Sequence, residues 1–203
     1  MSPAEAIALA ETRAWLERAV IGLNLCPFAK APHAKGQIRF VVSGAVDEEA
    51  LLAELQAELE TLVEADPLLL ETTLLVHPVL LADFDAFNDF LDPADALLDA
   101  MELAGVVQIA SFHPRFRFEG TQEDDLTNAT NRSPYPTLHL LREASVERAV
   151  EAFPDPAVIF DANLATIEAL GAAGWDALRA ACRADALHAA HLVEAAAAAA
   201  TSG

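Results

Sequence analysis

The pattern that most restricts what this chain can fold into is a repeated change of hydrophobic period between Gln37 and Phe112. Gln37 to Ser43 is rich in β-branched and apolar residues and is closed by Gly44, a strand signature. Asp47 then caps a run in which Leu51, Leu55, Leu59 and Leu62 make one apolar stripe at helical spacing, with Pro67 beyond its end. Thr72 to Val76 is an almost continuous apolar strand that ends in His77-Pro78. From Asp83 to Leu103 the spacing is helical again, and Asp92 before Pro93 reads as an N-cap and first-turn proline that restart a second helix. Gly105 closes it, and Val106 to Phe112 is a third strand, ending in His113-Pro114. This order predicts right-handed crossovers and an α/β fold, with α+β as the alternative: a small, mainly parallel sheet of about four strands with flanking helices. Ligand sites in such sheets lie outside the carboxyl ends of the strands.

The flanks extend the pattern. Leu9, Leu16, Val20 and Leu23 predict a first helix from Pro3 to Leu23, ended by Asn24 and Pro27. A fourth strand, Thr137 to Leu141, follows the long connection from His113 to Pro136, and loops of that length call for a functional or ordering reason. Phe112, Phe116 and Phe118 alternate, so the connection begins as an extension of the third strand with one face buried. Helical patterns over Ala144 to Phe153, Ala157 to Leu170 and Gly174 to Ala200 make the C-terminal part α-helical. There is no internal repeat, and the length fits one domain over 1–203 with a low-complexity, frayed tail at 195–203.

Charge narrows the partners. The formal net charge is -20, which repels phosphate backbones and anionic membranes, so neither nucleic acid nor a membrane surface is expected. Met1 to Val20 carries Glu5, Glu11 and Glu17 and does not read as a secretory signal; no stretch has the ~18 uncharged apolar residues of a span. A cytoplasmic location is expected, and the two distant cysteines, Cys26 and Cys182, argue against a structural disulfide. Between Val41 and Pro114 there are 16 Asp and Glu and no Lys or Arg. Lys30, Lys35, Arg39, Arg115, Arg117, Arg132 and Arg142, by contrast, fall in or beside two polar segments, Asn24–Arg39 and His113–Arg142. A locally basic pocket on an acidic body favours a small anionic ligand, unless these residues merely pair with nearby carboxylates.

Three chemistries compete for those segments. His77 and His113, at the ends of successive strands, would share one sheet edge if the strands are parallel neighbours. There they are candidate catalytic residues, shuttling protons or ligating Zn or Fe with His139 as a third ligand. No recognised ligand spacing supports the metal, and the plainer reading is that proline ends each strand while histidine caps a carbonyl. Cys26, beside a proline-fixed turn near Lys30 and His33, is a candidate nucleophile for a transferase or hydrolase. A helix C-terminus is the wrong end of the dipole for a thiolate, however, so a buried, inert thiol competes. In the long connection, Asn131, Arg132, Ser133 and Tyr135, with Arg115, are the candidate substrate-binding residues: Arg132 can grip two oxygens, and Pro134 and Pro136 would hold it rigidly. Asp124 and Asp125 are weaker candidates for a ligand or base. There is no G-x-G-x-x-G, Walker lysine loop, G-x-S-x-G or C-x-x-C, so dinucleotide, nucleoside triphosphate, serine hydrolase and dithiol chemistry have no motif support.

Asn24-Leu-Cys-Pro-Phe-Ala29, Glu71-Thr-Thr-Leu-Leu-Val-His-Pro78, Ser111-Phe-His-Pro114, Thr130-Asn-Arg-Ser-Pro-Tyr-Pro-Thr-Leu-His139 and Leu140-Leu-Arg-Glu143 together resemble a bacterial family catalogued only as a domain of unknown function. The resemblance spans approximately Thr12 to Gly174 and implies one structural unit, with no activity or cofactor to carry over. The expectation is a small-molecule enzyme, metal-dependent in one version, acting on an anionic substrate at the strand ends. The alternative is a non-catalytic ligand-binding or partner-binding protein using the same loop.

Overall fold

A computed structural model describes residues 1–151 and 156–201, with backbone alone at 156–157 and 192–201. Helix α1 (Pro3–Trp15) starts from a reciprocal cap: Glu5 N–H donates to Ser2 Oγ while Ser2 N–H donates to Glu5 Oε2. It widens into a π-helical turn over Leu16–Ile21. Gly22 ends that turn, where a Cβ would lie 2.4 Å from the Arg18 carbonyl oxygen, so a side chain has no room. Asn24 follows in the left-handed region at φ 55°, and the chain turns through Cys26-Pro27 into the short helix α2 (Lys30–Ala34).

Strand β1 (Ile38–Val42), helix α3 (Glu48–Glu64) and strand β2 (Thr72–Val76) form the expected parallel unit. Asp47 caps α3 by accepting from Ala50 N–H at 2.8 Å. Asp83 does the same for α4 (Phe84–Ala100), accepting from Asp85 and Ala86 N–H. Helix α4 is one helix, correcting the restart expected at Asp92-Pro93. Its buried stripe, Phe87, Phe90, Ala94 and Leu98, packs past the proline, while Asp89, Asp92 and Pro93 are exposed. The ladder bond that Pro93 cannot make is therefore lost on the solvent side, where water can replace it. Strand β3 (Val107–Phe112), the 3₁₀ turn Leu126–Asn131, strand β4 (Thr137–Arg142), α5 (Glu143–Glu151) and α6 (Pro156–Thr201) complete the order. Gly171 interrupts α6 with φ 68° and ψ 169°, between the two stretches that the sequence separates. Phe153, the expected end of α5, and Ser202 and Gly203 of the tail lie outside the described residues.

The sheet order is β1-β2-β4-β3. β1 pairs with β2 in parallel, but β4 runs antiparallel between β2 and β3, so the sheet is mixed rather than mainly parallel. The connection 113–136 reverses direction instead of crossing over, and β4 fills the gap that a parallel β3 would have taken. β2 and β3 still point the same way, because each is antiparallel to β4. Both His-Pro ends therefore lie at one edge, with Thr137 opposite Val76 on one side and Phe112 on the other.

Each sheet face buries its own core. On one, Leu75, Leu138, Leu140 and Val107 pack with Leu51, Leu55, Leu59 and Leu62 of α3 and Phe87, Phe90 and Leu98 of α4. On the other, Ile38, Phe40 and Phe112 meet Trp15 and Leu16 near the N-terminus and Ile167, Trp175 and Cys182 of α6. Alternation along β4 puts Leu138 and Leu140 toward α3 and α4, and His139 toward α1 and α6. No helix among the described residues is long and apolar enough to cross a membrane.

Candidate anion-binding cleft

The histidine pair comes first because the strand ends put it at the expected edge. His77 and His113 are 1% and 0% exposed, and their rings flank Phe87 at centroid distances of 5.7 and 5.1 Å. A carbonyl can only accept, so His77 Nδ1–H donates to the Leu80 carbonyl (3.1 Å) and His113 Nε2–H to the Leu81 carbonyl (3.1 Å). His113 Nδ1 in turn accepts Arg115 N–H at 3.0 Å, leaving that ring no spare lone pair. His77 Nε2 is buried without a hydrogen-bond partner. Burial pushes the His77 pKa down to about 4, opposed by the Leu80 bond and reinforced by His113. Burial lowers His113 as well, opposed by Leu81, with Arg115 lowering it further and Asp83 raising it. Two neutral rings thus clamp consecutive carbonyls, with Leu81 held at φ 59°. This is the capping role of the plainer sequence reading.

The other proposed partners lie across the sheet. His139 faces α1 and α6, donates Nε2–H to Thr72 Oγ1 (2.7 Å), and is lowered to about 4 by burial; that hydroxyl donates to the Leu140 carbonyl. His77, His113 and His139 therefore do not converge on one ion, because β4 presents His139 on the face opposite to the other two. Among the described residues no group of three or more His, Cys, Asp or Glu is placed to hold a metal. Cys26 also packs against the α1/α6 core, away from His77 and His113. Burial raises its pKa, against the lowering effect of hydrogen bonds from the backbone of Phe28 and Ala29, and so favours the thiol over the thiolate.

The connection 113–136 is ordered from within. Asn128 is fully buried; its Oδ1 accepts from Phe118 N–H (3.0 Å) and Thr121 O–H (2.8 Å), and its Nδ2 donates to the Gln122 carbonyl (2.8 Å). Asp125 caps the 3₁₀ turn through Thr127, whose hydrogen bonds lower the Asp125 pKa. Asn131 donates to the Ser111 carbonyl and accepts His113 N–H on its own, so it ties the loop to β3. Arg115 pairs with Glu123 at 2.9 Å and lies 4.0 Å from Asp83, while Arg117 pairs with Asp85 at 3.0 Å. Arg39 is bidentate on Glu58, and Arg142 donates to the Leu62, Ala65 and Leu70 carbonyls at the end of α3. Much of the local positive charge is therefore structural.

Arg132 is different. It reaches the Phe116 carbonyl through Nε (3.3 Å) and the Glu123 carbonyl through Nη2 (2.5 Å), both neutral acceptors. With Ser133 and Pro134 it borders a cleft of about 320 Å³, whose remaining walls are Glu11 and Trp15 of α1 and Asp176, Leu178, Arg179, Ala180, Cys182 and Arg183 of α6. Burial lowers the Arg132 pKa, and the positive charge of Arg179 lowers it further, against Glu123 and Asp125. At the margin, Tyr135 O–H donates to Glu11 Oε2 (2.7 Å), and Arg183 donates to that oxygen (2.6 Å) and to the phenol (2.9 Å). Burial and Glu11 push the phenol up to about 12, against Arg183. Cys182 is driven up to about 11, chiefly by burial. Ser133 Oγ donates to the Tyr135 carbonyl, fixing the turn.

Of the expected binding residues, Arg132 and Ser133 line this cleft, Tyr135 buttresses it, and Asn131 and Arg115 serve the loop. Glu11, Trp15, Arg179 and Arg183 are cleft residues that the sequence reading misses, because α1 and α6 meet only in three dimensions. Arg179 and Arg183, one helical turn apart on an otherwise alanine-rich helix, were the available signal.

The family model described as "Protein of unknown function (DUF1415)" matches residues 7–177, most of the chain, which belongs to that family. No curated protein and no solved structure matches the chain.

Proposed function

We propose that this member of a family of unknown function is a small-anion-binding protein, with its site in the cleft between α1, α6 and Arg132-Ser133-Pro134. The observation that carries this reading is that Arg132 and Arg179, from the loop and from α6, line the same cleft and repel each other. Like charges repel, and among the described residues Arg132 has carbonyls alone as hydrogen-bond partners, so the cleft holds positive charge that an anion would relieve. Arg179 has a loose contact with exposed Asp176 at 3.8 Å, which leaves it free to turn toward a ligand. Among the side chains that line the cleft, three guanidinium groups stand against two carboxylates on a chain of -20, with Glu123 and Asp125 behind Arg132 offsetting part of its charge. An anion repelled by most of the surface would find its favourable potential there.

Catalysis in this cleft would need a group that reacts, and of its two nucleophile-bearing residues Cys182 is buried and favoured as a thiol while the buried Ser133 hydroxyl donates to the Tyr135 carbonyl. Binding is therefore the better-supported half of the two readings. A thermal-shift titration with small carboxylates and phosphate tests it: the parent should gain stability with at least one anion, and Arg179→Gln should lose that gain. Identical responses in the two proteins would sink the proposal.

A further inference from the structure

Resting on the anion-binding reading, the geometry points to a ligand class: an organic monocarboxylate with an apolar body, rather than phosphate or another compact dianion. Charge is the first argument. Glu11 and Asp176 line the same cleft as Arg132, Arg179 and Arg183, and Glu11 already occupies Arg183 at 2.6 Å. What is left matches one negative charge, and a second would face those two carboxylates at close quarters.

Donor geometry is the second argument. Arg132 has Nε and Nη2 engaged by the Phe116 and Glu123 carbonyls, and among the described residues its Nη1 makes no hydrogen bond. Arg179, on α6, lines the same cleft and adds its own fork. Two partly engaged guanidinium groups suit the two coplanar oxygens of a carboxylate better than the tetrahedral oxygens of phosphate, which would call for donors on further sides. Ser133 does not supply one, since its hydroxyl donates to the Tyr135 carbonyl.

The walls are the third. Trp15, Pro134, Leu178, Ala180 and Cys182 present hydrocarbon, ring and thiol surface between the charged ends. A volume of about 320 Å³ is near the small end of ligand pockets, which run from about 300 to 1,000 Å³. It admits an aryl or branched-alkyl acid with its carboxylate on Arg132 and Arg179 and its body against Leu178 and Pro134.

The test is calorimetric titration of the full chain with phenylacetate, acetate and inorganic phosphate, repeated on Arg179→Gln and on Ala180→Glu. Both changes fall at exposed helix positions. Phenylacetate should bind about tenfold more tightly than acetate or phosphate, since only it buries apolar surface. Arg179→Gln should weaken it about tenfold, and the added carboxylate of Ala180→Glu should weaken it at least as much. Acetate matching phenylacetate, or phosphate binding most tightly, would overturn the ligand class while leaving an anion site in place. Binding by none of the three probes would overturn the ligand class and the anion site together.

Discussion

On the α3/α4 face of the sheet, His77 and His113 donate to consecutive backbone carbonyls and sandwich a phenylalanine; on the α1/α6 face, Arg132 and Arg179 border one cleft. His77, His113 and Arg132 attract notice in the sequence as polar groups at or near strand ends, whereas Arg179 sits on α6 and joins Arg132 only in the folded chain. What separates them is whether the neighbouring backbone has already used their hydrogen-bonding capacity. The imidazoles close a loop over a core, each through a bond to a carbonyl, whereas the guanidinium groups border a cleft and are only partly engaged by carbonyls and a loose carboxylate contact. A reactive residue type marks a functional site only when something is left over after the fold has taken its share.

Four measurements would break or sharpen that contrast. The largest effect belongs to Phe87→Ala, which empties the space between the two rings and should cost about 4 kcal/mol in urea unfolding. A loss below about 1 kcal/mol would mean that the ring pair is not a packed unit. Next comes acidification. The unfolded chain protonates histidine near 6.5, while His77 and His139 stay neutral in the fold down to about 4. Stability is therefore complete above pH 6.5 and declines as the pH falls from 6.5 toward 4, by about 3 kcal/mol for each ring. His77→Leu should remove its share of that slope; a parent profile flat over this range would contradict the burial argument. Tyr135→Phe, which takes one donor from Glu11 while Arg183 keeps its pair, should cost about 1 kcal/mol in the same assay. Smallest of all, Arg179→Gln should change stability by less than about 0.5 kcal/mol, because its ion pair with Asp176 is exposed and loose. A larger loss would place Arg179 with the structural residues.

Much of the local structure was legible in residue patterns. The Asp47 cap, the leucine stripe of α3 and the Thr72–Val76 strand stand where periodicity puts them, because each depends on neighbours within a few residues. The insertion of β4 between β2 and β3 was not legible, since an apolar run records that it is buried but not beside which strand. Pro93 misled for a related reason: the sequence shows a missing donor without showing that its acceptor faces water. At the site, Arg132 and Ser133 could be found from the density of polar residues in one loop. Glu11 carried no such signal, and the Arg179/Arg183 spacing marked a charged helix face without showing which loop it meets, because the contact of α1 with α6 is a tertiary fact. His139 was a third ligand only on the condition that it faced the same side as His77 and His113, and alternation along β4, which a sequence without its pairing does not orient, sends it the other way.

The interposed β4 also dictates an order of assembly. β1, α3 and β2 are contiguous and can pair as the chain emerges, but β3 has no hydrogen-bonded neighbour in the sheet until residues 137–142 arrive. A nascent chain that has reached only the 113–136 connection thus carries β3 as an orphan strand, and β2 with one unsatisfied edge. Such edges are the usual templates for pairing between molecules. The pairing of Thr72 with Leu141 closes a loop of nearly the whole intervening chain, a slow kind of contact to make. Until residues 137–142 are in place the sheet is topologically incomplete, so its completion waits on the last strand.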